Sequence, residues 1–148
     1  MGVIKWGGPT SPANLLTTEL NSLADDTGVV SANVSNDDAA ELYLYADFAL
    51  NLATQGGARE AGAVCELYLV PTLDGSNYSY GATNLKPAGA LLVANFQLDA
   101  ATTARLVIAR QIPLPPFDFK IVIFNVTGQA FAASGNILSY SRYNMQAS

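Results

Sequence analysis

The sequence contains no histidine and a single cysteine, Cys65. The first absence removes every nucleophile–base pair built on an imidazole, the Ser–His–Asp and Cys–His arrangements included. The second removes any internal disulfide and any cysteine-built zinc cluster. Lysine is scarce too: Lys5, Lys86 and Lys120 stand alone, and none falls in a Ser-x-x-Lys context. Charge is thin overall, at 13% of residues against about 25% in an ordinary soluble domain. Seven basic residues face twelve acidic ones, for a net charge of −5 and a pI near 4.4, so a basic surface for a phosphate backbone is missing and no nucleic-acid partner is expected. No apolar run reaches the length of a membrane-crossing helix. The first residues, MGVIKWGGPTSPA, lack the charged and apolar parts of a signal peptide, and Trp6 stands where a myristoylation motif needs Ser or Thr. These absences lead to an expectation of no enzyme activity, no cofactor, no metal and no membrane partner.

What is present is a period of two. Across residues 41–53, Leu42, Leu44, Ala46, Phe48, Leu50 and Leu52 fall on one face, and Glu41, Tyr43, Tyr45, Asp47, Ala49 and Asn51 on the other. A strand with one buried face has this pattern. Further strands are read at residues 29–34, 63–70, 91–98, 105–112, 117–126 and 136–143, with a bulge or short strand at 129–133. In 91–98 the expected core set is Leu92, Ala94, Phe96 and Leu98; 105–112 alternates Leu106, Ile108, Arg110 and Ile112. Residues 117–126 are apolar on both faces, as a strand buried on both sides or under a subunit contact would be. Cys65 lies on the apolar side of its strand, as a small core residue.

The fold class is therefore all-β: an antiparallel β-sandwich of jelly-roll or immunoglobulin-like topology, with about seven or eight strands. Residues 1–28 are read as an N-terminal arm and short helix, and 29–148 as the sandwich domain. Ser11 as cap, Pro12 at the first helical position and Leu15, Leu16, Leu20 and Leu23 at near-helical spacing predict a helix over residues 11–25. Asp25 and Asp26 sit at the wrong end for its dipole, and a loop or short extended segment is the alternative. The arm carries Val3, Ile4 and the only tryptophan, Trp6. Disordered tails are poor in such residues, so the arm is expected to dock, on its own domain or on a neighbour. The tail, residues 144–148, is expected to fray.

Few residues suggest chemistry. Asp25–Asp26 and Asp37–Asp38 are adjacent acids in turns, where aspartate serves turn geometry. The long connection at residues 71–89 contains Asp74–Gly75–Ser76–Asn77, where a surface calcium stays open, and the tyrosines Tyr78 and Tyr80. The triplets at Asn33, Asn77 and Asn125 match the glycosylation pattern, as chance allows in a chain rich in Asn, Ser and Thr. These tyrosines are read as half-buried core contacts, or, where exposed, as serving protein contacts or sugar stacking. The interface candidates are thus Val3, Ile4, Trp6, Tyr43, Tyr45, Tyr78 and Tyr80.

Five short patterns carry a resemblance: Leu67–Tyr68–Leu69, the loop Leu73 to Tyr78, Ala101 to Arg105, Pro113–Leu114–Pro115–Pro116, and Ser139 to Tyr143. Over roughly residues 41–144 the chain resembles small virion structural proteins of tailed bacteriophages. The resemblance implies a virion component assembled in the host cytoplasm, and it brings no catalytic residue with it. With the low charge and the apolar arm, the expected role is a capsid decoration or cement protein. Its partners would be other virion proteins, the major capsid protein foremost, and a second copy of itself in a homo-oligomer, a trimer being favoured. The alternative is a tail, baseplate or head–tail component with a carbohydrate-binding role.

Overall fold

The computed structural model describes residues 2–36, 42–79 and 86–147. Ten strands follow in order: Ile4–Trp6 (β1), Ala13–Leu16 (β2), Thr27–Val30 (β3), Tyr45–Leu52 (β4), Val64–Pro71 (β5), Leu92–Gln97 (β6), Arg105–Pro113 (β7), Phe119–Val126 (β8), Ile137–Tyr143 (β9) and Met145–Ala147 (β10). Eight of them form two four-stranded antiparallel sheets, ordered β2-β9-β4-β7 and β3-β8-β5-β6. β1 and β10 form a separate two-stranded ribbon. The protein is an all-β sandwich, as its alternating pattern indicates.

The core lies between the two sheets. From one side come Ala46, Phe48, Leu50 and Leu52 of β4, with Leu138, Leu16 and Ile112; from the other come Cys65, Leu67 and Leu69 of β5, Phe96, and Phe119, Ile121 and Ile123 of β8. Each Leu, Ile or Phe so enclosed contributes roughly 1.5–3 kcal/mol, and Phe48→Ala at the centre of β4 would cost about 3–5 kcal/mol. The alternation expected for β4 holds from Ala46 to Leu52. It does not hold for Leu42 and Leu44, which are exposed, because the strand begins only at Tyr45. The preceding backbone is tied off sideways: the Leu44 N–H donates to Oδ1 of Asn144, whose Nδ2 donates to the carbonyl of Leu42.

The N-terminal helix is not formed. Residues 13–16 are strand β2, paired with β9, and Thr18–Leu20 is a single 3-10 turn. Leu16, Leu20 and Leu23 still enter the core, because a strand followed by a tight turn aims them at one side, as a helix would have done. Ser22 adopts φ 59°, which ends any helical run there. The division expected between residues 28 and 29 falls inside β3. In β6, Leu92 lies at the surface and only Phe96 is fully buried, with a register shift opposite Leu67 and Tyr68 displacing the start of the strand. Residues 129–133 are not a strand; the Phe131 N–H donates to the carbonyl of Leu23, and its ring is buried.

The two outer faces differ. β8 is buried on both sides, as its double apolar pattern suggests: Val122 and Phe124 join Tyr68 and Val70 in a second, smaller cluster outside the sandwich. Tyr78 and Leu91, from the connection after β5, pack over it, and the Lys86 ammonium lies 5.0 Å from the centroid of Phe124. The absence of a side chain at Gly28 matters here, since a Cβ would come within 2.8 Å of the Phe124 ring. The outer face of β2-β9-β4-β7 has no such cover: Arg110, Ile108 and Leu106 are exposed on it.

The arm docks on its own chain. β1 pairs with β10, Ile4 opposite Ala147 and Trp6 opposite Met145. The Gly7 N–H donates to the Asn144 carbonyl and the Thr10 N–H to that of Arg142. The tail is thus not frayed through Ala147, because β1 supplies it with partners.

Candidate functional site

The uncovered face is built from cross-strand neighbours. β4 and β9 place Tyr45 opposite Tyr143, Asp47 opposite Ser141 and Ala49 opposite Ser139, all pointing outward. On the other side of β4, β7 places Ile108 opposite Ala49. Tyr45 and Tyr143 stack at 6.0 Å with 20° between planes. Trp6, arriving from β1, meets both edge-on, at 5.5 Å and 5.3 Å. Edge-to-face contacts at such distances contribute about 0.5–1.5 kcal/mol beyond buried area. Trp6 remains 51% exposed, so much of its indole is open to a ligand.

Beside this cluster, β7 carries a bulge. Ala46 pairs with Ile112 and Phe48 with Ala109, leaving Arg110 and Gln111 opposite the single residue Asp47. Gln111 takes φ 57°. Asp47 Oδ1 accepts the Gln111 N–H at 2.8 Å and the Tyr143 hydroxyl at 2.8 Å. Burial first, and then the hydrogen bond to Asp47, push the Tyr143 phenol up to about 12. The extra residue reverses the parity of β7. Ile112 points inward, but Leu106 and Ile108, which share its alternation in the sequence, are 64% and 47% exposed; Val107 and Ala109 pack on the core instead.

Two adjoining hollows follow. One, of about 240 Å³, is lined by Trp6, Pro9, Asp47, Arg110, Ser141 and Tyr143, among others. The second, of about 150 Å³, continues along the face past Pro12, Ala49, Ile108 and Ser139 and shares Asp47, Arg110 and Ser141 with the first. The Arg110 guanidinium forms no hydrogen bond or ion pair among the described residues, and Asp47 Oδ2 accepts none. A free cationic donor and a free anionic acceptor therefore share one groove beneath aromatic rings.

Of the sequence candidates, the structure brings together Trp6 and Tyr45 and leaves the others apart. Tyr43 is half-buried under Arg142, whose guanidinium lies 4.6 Å from its ring, and its backbone N–H donates to Oδ1 of Asn36. Val3 and Ile4 are exposed on the ribbon and its approach. Tyr78 donates its hydroxyl to Asn33 Oδ1 and lies under Lys120, 4.2 Å from the ring centroid. Tyr80 lies outside the described residues. Sequence reasoning missed Tyr143, Arg110, Gln111 and Ser141. Tyr143 had a usable signal, an aromatic on the outward parity of the last strand, but its partner Tyr45 is known only once β9 is placed beside β4.

Other groups are engaged elsewhere. Asp74 Oδ1 accepts the N–H groups of Ser76 and Asn77 and Oδ2 accepts the Asn77 side-chain amide, which together hold its carboxyl well below the usual range. Its oxygens thus serve the turn, and among the described residues no three acids or Cys side chains gather as a metal set. Burial pushes the Cys65 thiol far up, away from the thiolate a nucleophile requires.

Comparison with known proteins finds no matching family model and no matching curated protein. Among the solved structures to which the chain is distantly similar are two of low identity. One is a carbohydrate-binding module, CBM36, in complex with calcium and xylotriose: 13% identity over 100% of this chain and 99% of that one, with a TM-score of 0.39. The other is described as CBM4 structure and function: 12% identity over 84% of this chain and 80% of that one, with a TM-score of 0.31.

Proposed function

We propose that this protein is a non-catalytic carbohydrate-binding domain whose site is the open face around Trp6, Tyr143, Asp47 and Arg110. One observation carries the reading: the Arg110 guanidinium and Asp47 Oδ2, both without a partner among the described residues, flank one groove under an exposed indole. A sugar ring has a C–H face that packs on an aromatic ring and vicinal hydroxyls that need both a donor and an acceptor. Asp47 accepts from such a diol and Arg110 donates to it, and both hydrogen bonds are charge-assisted. The absence of histidine and the inert Cys65 leave this groove without a nucleophile–base pair. A glycan array on the full chain tests the reading, followed by titration calorimetry on any hit. Arg110→Ala is expected to weaken binding at least tenfold with an unchanged melting temperature, and Trp6→Ala to weaken it at least tenfold with the sandwich still folded by far-UV circular dichroism. An array without hits, or variants that bind as the parent does, would overturn it.

A second reading is a virion structural protein, a capsid decoration or cement protein bound to the major capsid protein as a homo-oligomer, a trimer being favoured. The observation in its favour is the ribbon, where Ile4 and Met145 are 73% and 45% exposed beside Val3 at 65%. Sedimentation showing a trimer, and particle association lost when residues 1–12 are removed, would favour it over the first.

A further inference from the structure

We infer that the open face takes an unbranched, neutral glycan chain across at least two consecutive sugar units. The inference rests on the carbohydrate reading above and deepens it. The two hollows share Asp47, Arg110 and Ser141, so they form one groove rather than two sites. From Tyr143 to Ser139 the groove follows β9 over four residues, about 13 Å at the rise of a strand. That exceeds the span of a single sugar ring.

The two ends differ in chemistry. At the first, the exposed Trp6 offers its indole, with the buried Tyr143 ring behind it, and Asp47 with Arg110 offers the hydrogen bonds. At the second, Ile108, Ala49 and Pro12 form an apolar wall, and the Ser139 hydroxyl makes no hydrogen bond among the described residues. This second end suits the C–H face of a neighbouring unit with one hydroxyl turned toward the sheet. Ile108 is 47% exposed there only because the bulge at Gln111 has turned it outward.

The Ile108 end is not walled. Beyond Ile108 the same row continues to exposed Leu106 and Asn51. A chain seated on the groove can thus run on past Ile108 to further units. Branches are disfavoured on the β2 side, where the arm rises at Pro9 and Pro12 beside the groove. Neutral units are favoured because Arg110 is the sole cation lining the groove and Asp47 stands within it. A chain with a carboxylate on every unit would set one against Asp47, in a protein whose net charge is already −5.

The chain carries one tryptophan, and it lies in the site, so its fluorescence reports binding directly. The experiment titrates the full chain with one to four units of a neutral linear glycan selected on the array, following Trp6 emission. The expected result is a dissociation constant that falls at least tenfold between one unit and three. Ile108→Ala is expected to weaken three-unit binding by a larger factor than single-unit binding, while Leu106→Ala, one step further out, changes the three-unit constant less than Ile108→Ala does. Equal affinity for one unit and three, or preference for branched or uronic-acid chains, overturns the inference and leaves the carbohydrate reading standing. If no sugar of any length shifts the emission, the carbohydrate reading itself falls.

Discussion

Oδ1 of Asp47 accepts the backbone N–H of Gln111 at 2.8 Å, across the one place where β4 and β7 fall out of step. A bulge leaves one residue without its ladder partner, and here a side chain from the facing strand supplies that partner. The same oxygen accepts the Tyr143 hydroxyl, so one carboxylate fixes the bulge on one side and the aromatic cluster on the other.

Removing the carboxylate should therefore loosen both. Asp47→Ala is expected to lower stability by about 1–3 kcal/mol, the cost of hydrogen bonds to a charged group. Asp47→Asn, which keeps an acceptor oxygen, should lose less. Urea unfolding of the two variants gives the comparison; equal midpoints would show that the acceptor is unimportant.

Gln111 itself is held at φ 57°. A left-handed residue with a side chain costs roughly 1–2 kcal/mol, and β-branching worsens it. Gln111→Gly should thus be more stable than Gln111→Val by on the order of 2 kcal/mol. Thermal unfolding of both proteins checks the order, and a Val variant as stable as the Gly one would contradict the assigned conformation.

Arg59 is a fully buried side chain whose guanidinium donates to the carbonyls of Asp99 and Thr103 and to the Asp99 carboxylate, each at 3.0 Å. Arg59→Ala strips two carbonyls of their donors and opens a cavity. The expected loss is on the order of 3 kcal/mol or more, read from a denaturant titration. Retained stability would mean that water or neighbouring chain restores those partners.

Arg105, and after it Arg59, hold the Asp99 carboxyl down to about 2. A group depressed in the fold adds stability above its unfolded value, near pH 4, and that stability is lost as pH falls toward 2. Melting temperature should therefore drop between pH 4 and pH 2, and Arg105→Ala should make that part of the curve shallower. An unaltered slope in the variant would remove Arg105 as the cause.

At the alkaline end the sign reverses. Tyr143 is raised to about 12 in the fold, against about 10 unfolded. Its contribution is whole below pH 10 and disappears as pH rises through 12. Tyr143→Phe should remove this alkaline component, which stability measured between pH 9 and pH 12 would reveal.

The buried rows of β4, β5 and β8 were legible in the sequence, because alternation there is governed by a single interface, the space between the sheets. Even the two-sided burial of β8 was readable from Val122 and Phe124. Leu106 and Ile108 were misleading, since their alternation with Ile112 is interrupted by one left-handed residue that no side-chain pattern reveals. Leu16, Leu20 and Leu23 misled in the opposite way: their helical spacing is met by a strand and a turn that happen to aim them at the same core. The candidate site was half legible. Trp6 and Tyr45 stood out as aromatics off the apolar rows. Their union with Tyr143 depends on the pairing of the first and last segments of the chain, which no local pattern encodes.

That pairing has a mechanical consequence. With Ile4 opposite Ala147, both ends of the described chain leave the sandwich at the same corner. Tension applied between them acts across a three-residue ladder, opening it one pair at a time like a zipper and leaving the sheets unloaded until the ribbon has parted. Trp6 sits on the last of those pairs, so its aromatic contacts, with the Gly7 and Thr10 hydrogen bonds behind them, must break before tension reaches the fold.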